Sequence, residues 1–113
     1  MRIQVKGRGG ATVDDELRAR VEKKLDKVAR QVSALAELEV ELREERNPAI
    51  KDSQIAEGTL HLKGVTLRAR ERSTDMTHSI NLMADDLARQ VKKHRDKRRA
   101  RRESQKPQEP RAA

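Results

Sequence analysis

Eight of the eleven residues from Lys92 to Arg102 are Lys or Arg. A cationic run this dense has one obvious chemistry, which is to neutralise the phosphates of a polyanion and release its counterions. Its placement matters as much as its charge. Ile80, Met83, Ala84, Leu87, Ala88 and Val91 recur at the spacing of one buried helix face directly before it. The basic run therefore reads as the last turns of a helix that begins on a core and projects beyond it. His94, inside this shaft, suits a phosphate or ribose contact.

A second set of cations lies upstream. Leu17, Val21, Leu25, Val28 and Val32 form an apolar stripe spanning about 80° at 100° per residue. Arg20, Lys23, Lys24, Lys27 and Arg30 fall on one flank of that stripe, and Asp15, Glu22 and Asp26 on the other. If both helices lie on one sheet, Lys23, Lys24, Lys27 and Arg30 would wall one side of a cleft. Arg89, Lys92, Lys93, Arg95 and Arg99 would wall the other, with Lys97, Arg98, Arg101 and Arg102 extending it along the shaft. The plain alternative is a solvated helix with a floppy basic tail. The continuity of the run with a structured stripe, and the polarised first helix, favour the nucleic-acid surface. The Lys/Arg pattern lacks the Asn and Gln placements that read base edges, so binding by shape and charge is expected over sequence readout.

Other chemistries find little support. His61, His78 and His94 are scattered and there is no Cys, so no metal site is expected. Asp85 and Asp86 suit helix carboxylates, with Asp85 four residues before Arg89 as its expected partner. Gly7-Arg8-Gly9-Gly10 lacks the Lys-Ser/Thr of a phosphate-binding loop. No nucleophile–base constellation appears, so the expectation is a protein without catalytic activity, cofactor or small-molecule substrate. The chain has 113 residues, net charge +8, and no Phe, Tyr or Trp, so base stacking on aromatic side chains of the kind RRM and OB modules use is excluded. No apolar run is long enough to span a bilayer and no signal-peptide pattern opens the chain, so a cytoplasmic protein with no membrane partner is expected.

The elements that must position these residues follow from periodicity. Residues 2–6 alternate as a short strand, with Gly7 to Gly10 as a loop. Thr12 and Asp15 resemble a capping box for a first helix over about 13–32. Residues 37–43 alternate with Leu38, Val40 and Leu42 inward and Glu37, Glu39 and Glu41 outward. Asn47-Pro48 marks a turn. Strands are predicted over 54–62 and 65–72, joined by a tight turn at Lys63-Gly64. Ser73, Thr74 or Asp75 caps a second helix running to about Arg102. The order βαβββα gives an α/β (α+β) two-layer sandwich. Its four-stranded mixed sheet carries both helices on one face, with a parallel pair from the first β-α-β unit. Residues 1–102 form the domain, and 103–113 a disordered tail or the start of a linker.

Taken together, certain residues resemble the ribosome hibernation-promoting factor family, specifically its N-terminal ribosome-binding domain. They are Leu17, Arg18, Val21, Glu22, Lys24, Leu25, Lys27 and Arg30; Leu60 to Gly64, Leu67, Ala69 and Asp75-Met76; and Ile80, Leu87, Arg89-Gln90, Lys92 to Arg95 and Lys97. The likeness covers about residues 1–102. It implies a βαβββα fold similar in layout to double-stranded RNA-binding domains. It also implies binding to ribosomal RNA in the small-subunit cleft where mRNA and tRNA pass, and a block of translation in starved cells. By position, it implies RNA contacts for Arg8, Lys24, Lys27, Arg30, Arg89, Lys92, Lys93, His94, Arg95 and Lys97. Thr77 stands where the family usually carries Tyr. Long members add a C-terminal dimerisation domain, absent from this chain, which is then either a short form or the N-terminal piece of a long one. A general double-stranded RNA binder is the competing expectation. A protein-interaction module using the acidic stripe Glu37, Glu39 and Glu41, or the tail, is a third.

Overall fold

The computed structural model describes residues 1–105. Its elements are β1 (Arg2–Arg8), α1 (Asp15–Lys24), α2 (Asp26–Ala29), β2 (Glu37–Glu44), β3 (Gln54–Leu62), β4 (Val65–Ser73) and α3 (Met76–Gln105). The strands form one mixed sheet in the order β1-β2-β3-β4, with β1 parallel to β2 and the other neighbours antiparallel. The fold is the α+β sandwich that the alternating strands and two apolar stripes predict.

The alternation sorts the sheet into two faces. Val5, Leu38, Val40, Leu42, Ala56, Leu60 and Ala69 are buried in one cluster with Val21, Leu25 and Val28 of the first helical segment and Ile80, Met83, Ala84, Leu87 and Val91 of α3. Each large aliphatic side chain withdrawn from water in this way contributes about 1.5–3 kcal/mol, so α3 is held by its first four turns. Gly58 lets it come close. A Cβ there would sit 2.8 Å from both Leu87 Cδ1 and Met83 Sδ, so the helix rests directly on backbone. The entry to α3 is pinned by a buried hydroxyl pair. Ser79 Oγ donates to the Gln54 carbonyl at 2.6 Å and lies 2.7 Å from Ser73 Oγ.

On the open face, Glu37, Glu39 and Glu41 stand on β2, and basic β1 lies alongside with Arg2 opposite Glu37 and Lys6 opposite Glu41. Arg68, Arg70 and Arg72 are exposed on β4. Ile55 is 2 % exposed yet stands apart from the core cluster. It is in register with Arg43 and Arg72 on the face opposite Ala56, a burial that strand alternation alone does not anticipate.

Four local expectations change. The first helix is not continuous over 13–32. Leu25 takes ψ near 0°, ending α1, and only one further turn, α2, follows. The stripe survives because Leu25 is itself buried and Val28 still lands on the core. Gly7 and Arg8 belong to β1 rather than to a loop, paired with Leu42 and Arg43. The turn is at Gly9 and Gly10, whose φ values of +61° and +91° suit glycine. The helix cap is Asp14, accepting from the Leu17 amide at 2.8 Å, not a Thr12–Asp15 box. Finally α3 runs on to Gln105, past the predicted end at Arg102. The rest of the expected tail lies outside the described residues.

Candidate nucleic-acid interface

α3 has 30 residues, a rod of about 45 Å at 1.5 Å per residue. Its buried stripe stops at Val91, so roughly its last 20 Å stands clear of the core. The expected basic shaft is therefore present as a projecting helix. From Lys92 to Glu103 every residue except half-buried His94 is exposed.

The cations do not all join one wall. At about 100° per residue, Lys92 and Arg99 lie on the side of α3 that carries Asp85, which is the side turned to α1 and α2. Arg89 and Lys93 point outward, away from the core, with Asp96 and Ala100 beside them. His94, Arg95, Arg98 and Arg102 continue the very face that Ile80, Met83, Leu87 and Val91 bury. Lys97 and Arg101 lie on the side of Gln90, whose amide donates to the Arg68 carbonyl of the β4 edge at 2.7 Å. The shaft is thus cationic all round, and only Lys92, Arg95 and Arg99 of the predicted second wall are turned towards the first helix.

Two contacts join the first helical segment to α3. Arg20 donates to Thr77 Oγ1 at 3.3 Å, and the Lys27 ammonium pairs with the Asp85 carboxylate. Both contacts place α1–α2 beside α3. Lys24, one turn after Arg20, shares its face. Lys23 and Arg30 lie further out, and Arg30 pairs with Asp26 at 2.8 Å. The expected Asp85–Arg89 pair is not the one formed. Asp85 takes Lys27, and Arg89 instead approaches Asp86 at 3.9 Å. The groove is consequently less positive than the sequence suggests, because a carboxylate sits in its middle.

Arg8 lies on a different element from the other candidates. It projects from the open sheet face, where its guanidinium lies 3.5 Å from Glu41, and does not join the two-helix groove. His61 also belongs to that face, with Nε2 3.8 Å from Glu39. Sequence reasoning missed Arg20 as a groove residue, although it lay on the basic flank. It also missed Lys63, read only as part of a turn. Lys63 lines three adjoining depressions at the foot of the shaft, and Arg98 lines the same three. Among the described residues no cluster of His, Cys, Asp or Glu is arranged to hold a metal, and no helix is long and apolar enough to cross a membrane.

The chain is thus a small α+β sandwich carrying a cationic rod beside a second basic helix, and comparison with known proteins identifies its family. Residues 3–99 match the family described as sigma 54 modulation protein / S30EA ribosomal protein, and the chain belongs to that family. It is 33% identical over 98 residues to a ribosome hibernation promotion factor of Picosynechococcus, covering 86% of this chain and 50% of that protein. It is 35% identical over 95 residues to a ribosome hibernation promoting factor of Azotobacter vinelandii, covering 84% of each. The chain thus spans about half of one relative and most of the other. Among solved structures, a ribosomal subunit interface protein from Coxiella burnetii superposes with a TM-score of 0.70 at 25% identity, covering 85% of this chain and 99% of that one. The N-terminal domain of Thermus thermophilus Protein Y gives 0.70 at 28% identity, covering 83% and 99%.

Proposed function

We propose that this protein is a ribosome hibernation factor. In this reading it binds the small ribosomal subunit in the cleft where mRNA and tRNA pass and inhibits translation under starvation. The observation that carries the reading is the projecting shaft of α3 beside the basic flank of α1–α2, on a chain of the hibernation-factor family. Lys23, Lys24, Lys27, Arg30, Arg89 and the cations from Lys92 to Arg102 contact ribosomal RNA phosphates. Arg8 contributes from the opposite face of the sheet if the RNA wraps the β1 edge. The protein performs no bond chemistry. Occupancy of the cleft excludes the translation machinery's own ligands, and counterion release supplies much of the affinity.

The rigid rod suits a cleft. A helix keeps its cations at fixed spacing, so little ordering entropy is lost on binding. The test is the triple substitution Lys92→Glu, Lys93→Glu and Arg95→Glu. All three side chains are exposed and make no ion pair among the described residues, so the fold is expected to survive, as circular dichroism would verify. Binding to vacant small subunits is expected to be lost. A folded triple variant that binds as the parent does would refute the proposal. General recognition of double-stranded RNA is the second reading, favoured by the same strand and helix order, and it expects any A-form duplex to compete fully.

A further inference from the structure

The depression where the shaft leaves the domain differs in character from the groove between the helices. Its floor is apolar, made by Val32 after α2, Leu62 at the end of β3 and Val91 at the end of the buried stripe. Its cations are Lys63 of the β3–β4 turn with Arg95 and Arg98 of α3, and His94, Gln31 and Ser33 complete its lining. The depression holds about 200 Å³ and adjoins a second of about 270 Å³ that shares Lys63, His94 and Arg98. Among the described residues no carboxylate lines either one. The groove, by contrast, holds Asp85 against Lys27.

The helix geometry explains why the recess exists. His94 and Arg98 stand on the α3 face that is apolar up to Val91, so past the sheet's end that face overhangs the β3–β4 turn. The corner between overhang and turn is left open because the sheet has run out. A phosphate alone would need only the cations. A paired base, stacked within a duplex, never reaches an apolar floor. A base swung out of its stack offers both parts at once, a flat weakly polar ring flanked by phosphates. Without Phe, Tyr or Trp in the chain, the side-chain ring available to lie beside such a base is an imidazole, which His94 supplies, and Arg98 is left for phosphate.

We propose that this recess seats one unpaired nucleotide of an RNA strand, with its base on Val32, Leu62 and Val91 and its flanking phosphates on Lys63 and Arg98. The inference rests on the nucleic-acid reading above and adds to it a preference for RNA with an extruded base. The experiment compares two RNA hairpins of the same stem, one fully paired and one carrying a single bulged uridine, by fluorescence anisotropy. The wild-type chain is expected to bind the bulged hairpin about tenfold more tightly, on the scale of one base seated on a protein surface. Lys63→Glu, at an exposed turn, is expected to erase that preference by weakening the bulged hairpin about tenfold more than the paired one. Lys63→Arg is expected to keep it. With 4-thiouridine at the bulge, irradiation should cross-link the base to the peptide holding Leu62 or to that holding Val91. Equal binding of the two hairpins would overturn the recess, as would a Lys63→Glu variant that weakens both alike, while leaving the nucleic-acid reading in place. Failure of both hairpins and of small subunits to bind would overturn the two together.

Discussion

The Lys27–Asp85 pair gives the groove its sharpest prediction. In the free protein, Lys27 offers little net charge to a phosphate because Asp85 neutralises it across the helix interface. Asp85→Asn removes that carboxylate and keeps the side chain's size. Both side chains are about half exposed, 45% for Lys27 and 55% for Asp85, so the pair falls in the solvent-screened class worth at most about 1 kcal/mol. The loss of stability should therefore be under ~1 kcal/mol. Release of Lys27, together with removal of a repelling charge, should tighten binding to a generic RNA duplex by roughly two- to fivefold at low salt. One added phosphate contact should steepen the plot of log affinity against log salt by about 0.7–0.9. Fluorescence anisotropy with a labelled duplex over a salt series reads both quantities. Lys27→Gln in the same assay should weaken binding by a similar factor. An Asp85→Asn protein with unchanged or weaker duplex affinity, and an unchanged slope, would refute the argument that Asp85 holds Lys27 back from phosphate.

Two further outcomes concern the platform under the shaft. Gly58→Ala places a methyl 2.8 Å from Leu87 Cδ1 and Met83 Sδ, and this overpacking is expected to cost about 1–3 kcal/mol. Thermal unfolding should show it as a drop of several degrees, and an unchanged midpoint would mean that the two side chains yield freely. Ser79→Ala deletes the buried hydroxyl that donates to the Gln54 carbonyl. It is expected to cost about 1–3 kcal/mol in urea titrations without changing the affinity for RNA at temperatures where the protein stays folded.

The amount legible in the sequence differed by element for physical reasons. Strands β2, β3 and β4 were legible almost to the residue because alternation over seven or more positions, bounded by Asn47-Pro48 and Lys63-Gly64, leaves one register. The break at Leu25 was not. Helical periodicity reads which face a residue takes, and both sides of the break keep the same face buried. Gly7-Arg8 looked like a loop because glycine carries no strand signal. Its pairing is backbone-to-backbone, and a Cβ on Gly7 would meet the Ala11 carbonyl oxygen at 2.3 Å. In the site, the cations themselves were plain, but their partners were not. Asp85 lies 58 positions from Lys27, so no local rule could prefer that pairing over Arg89. Lys63 gained its place only when the fold brought the β3–β4 turn under the shaft.

The central claim is that the basic rod recognises the cleft of a small ribosomal subunit rather than any polyanion. Co-sedimentation with vacant small subunits over a salt series, in the presence of excess random duplex RNA, tests it most directly. The account predicts that the protein stays with the subunits against the duplex, with retention falling as salt rises. Displacement by duplex at every salt concentration would contradict it and leave a generic double-stranded RNA binder on the same fold.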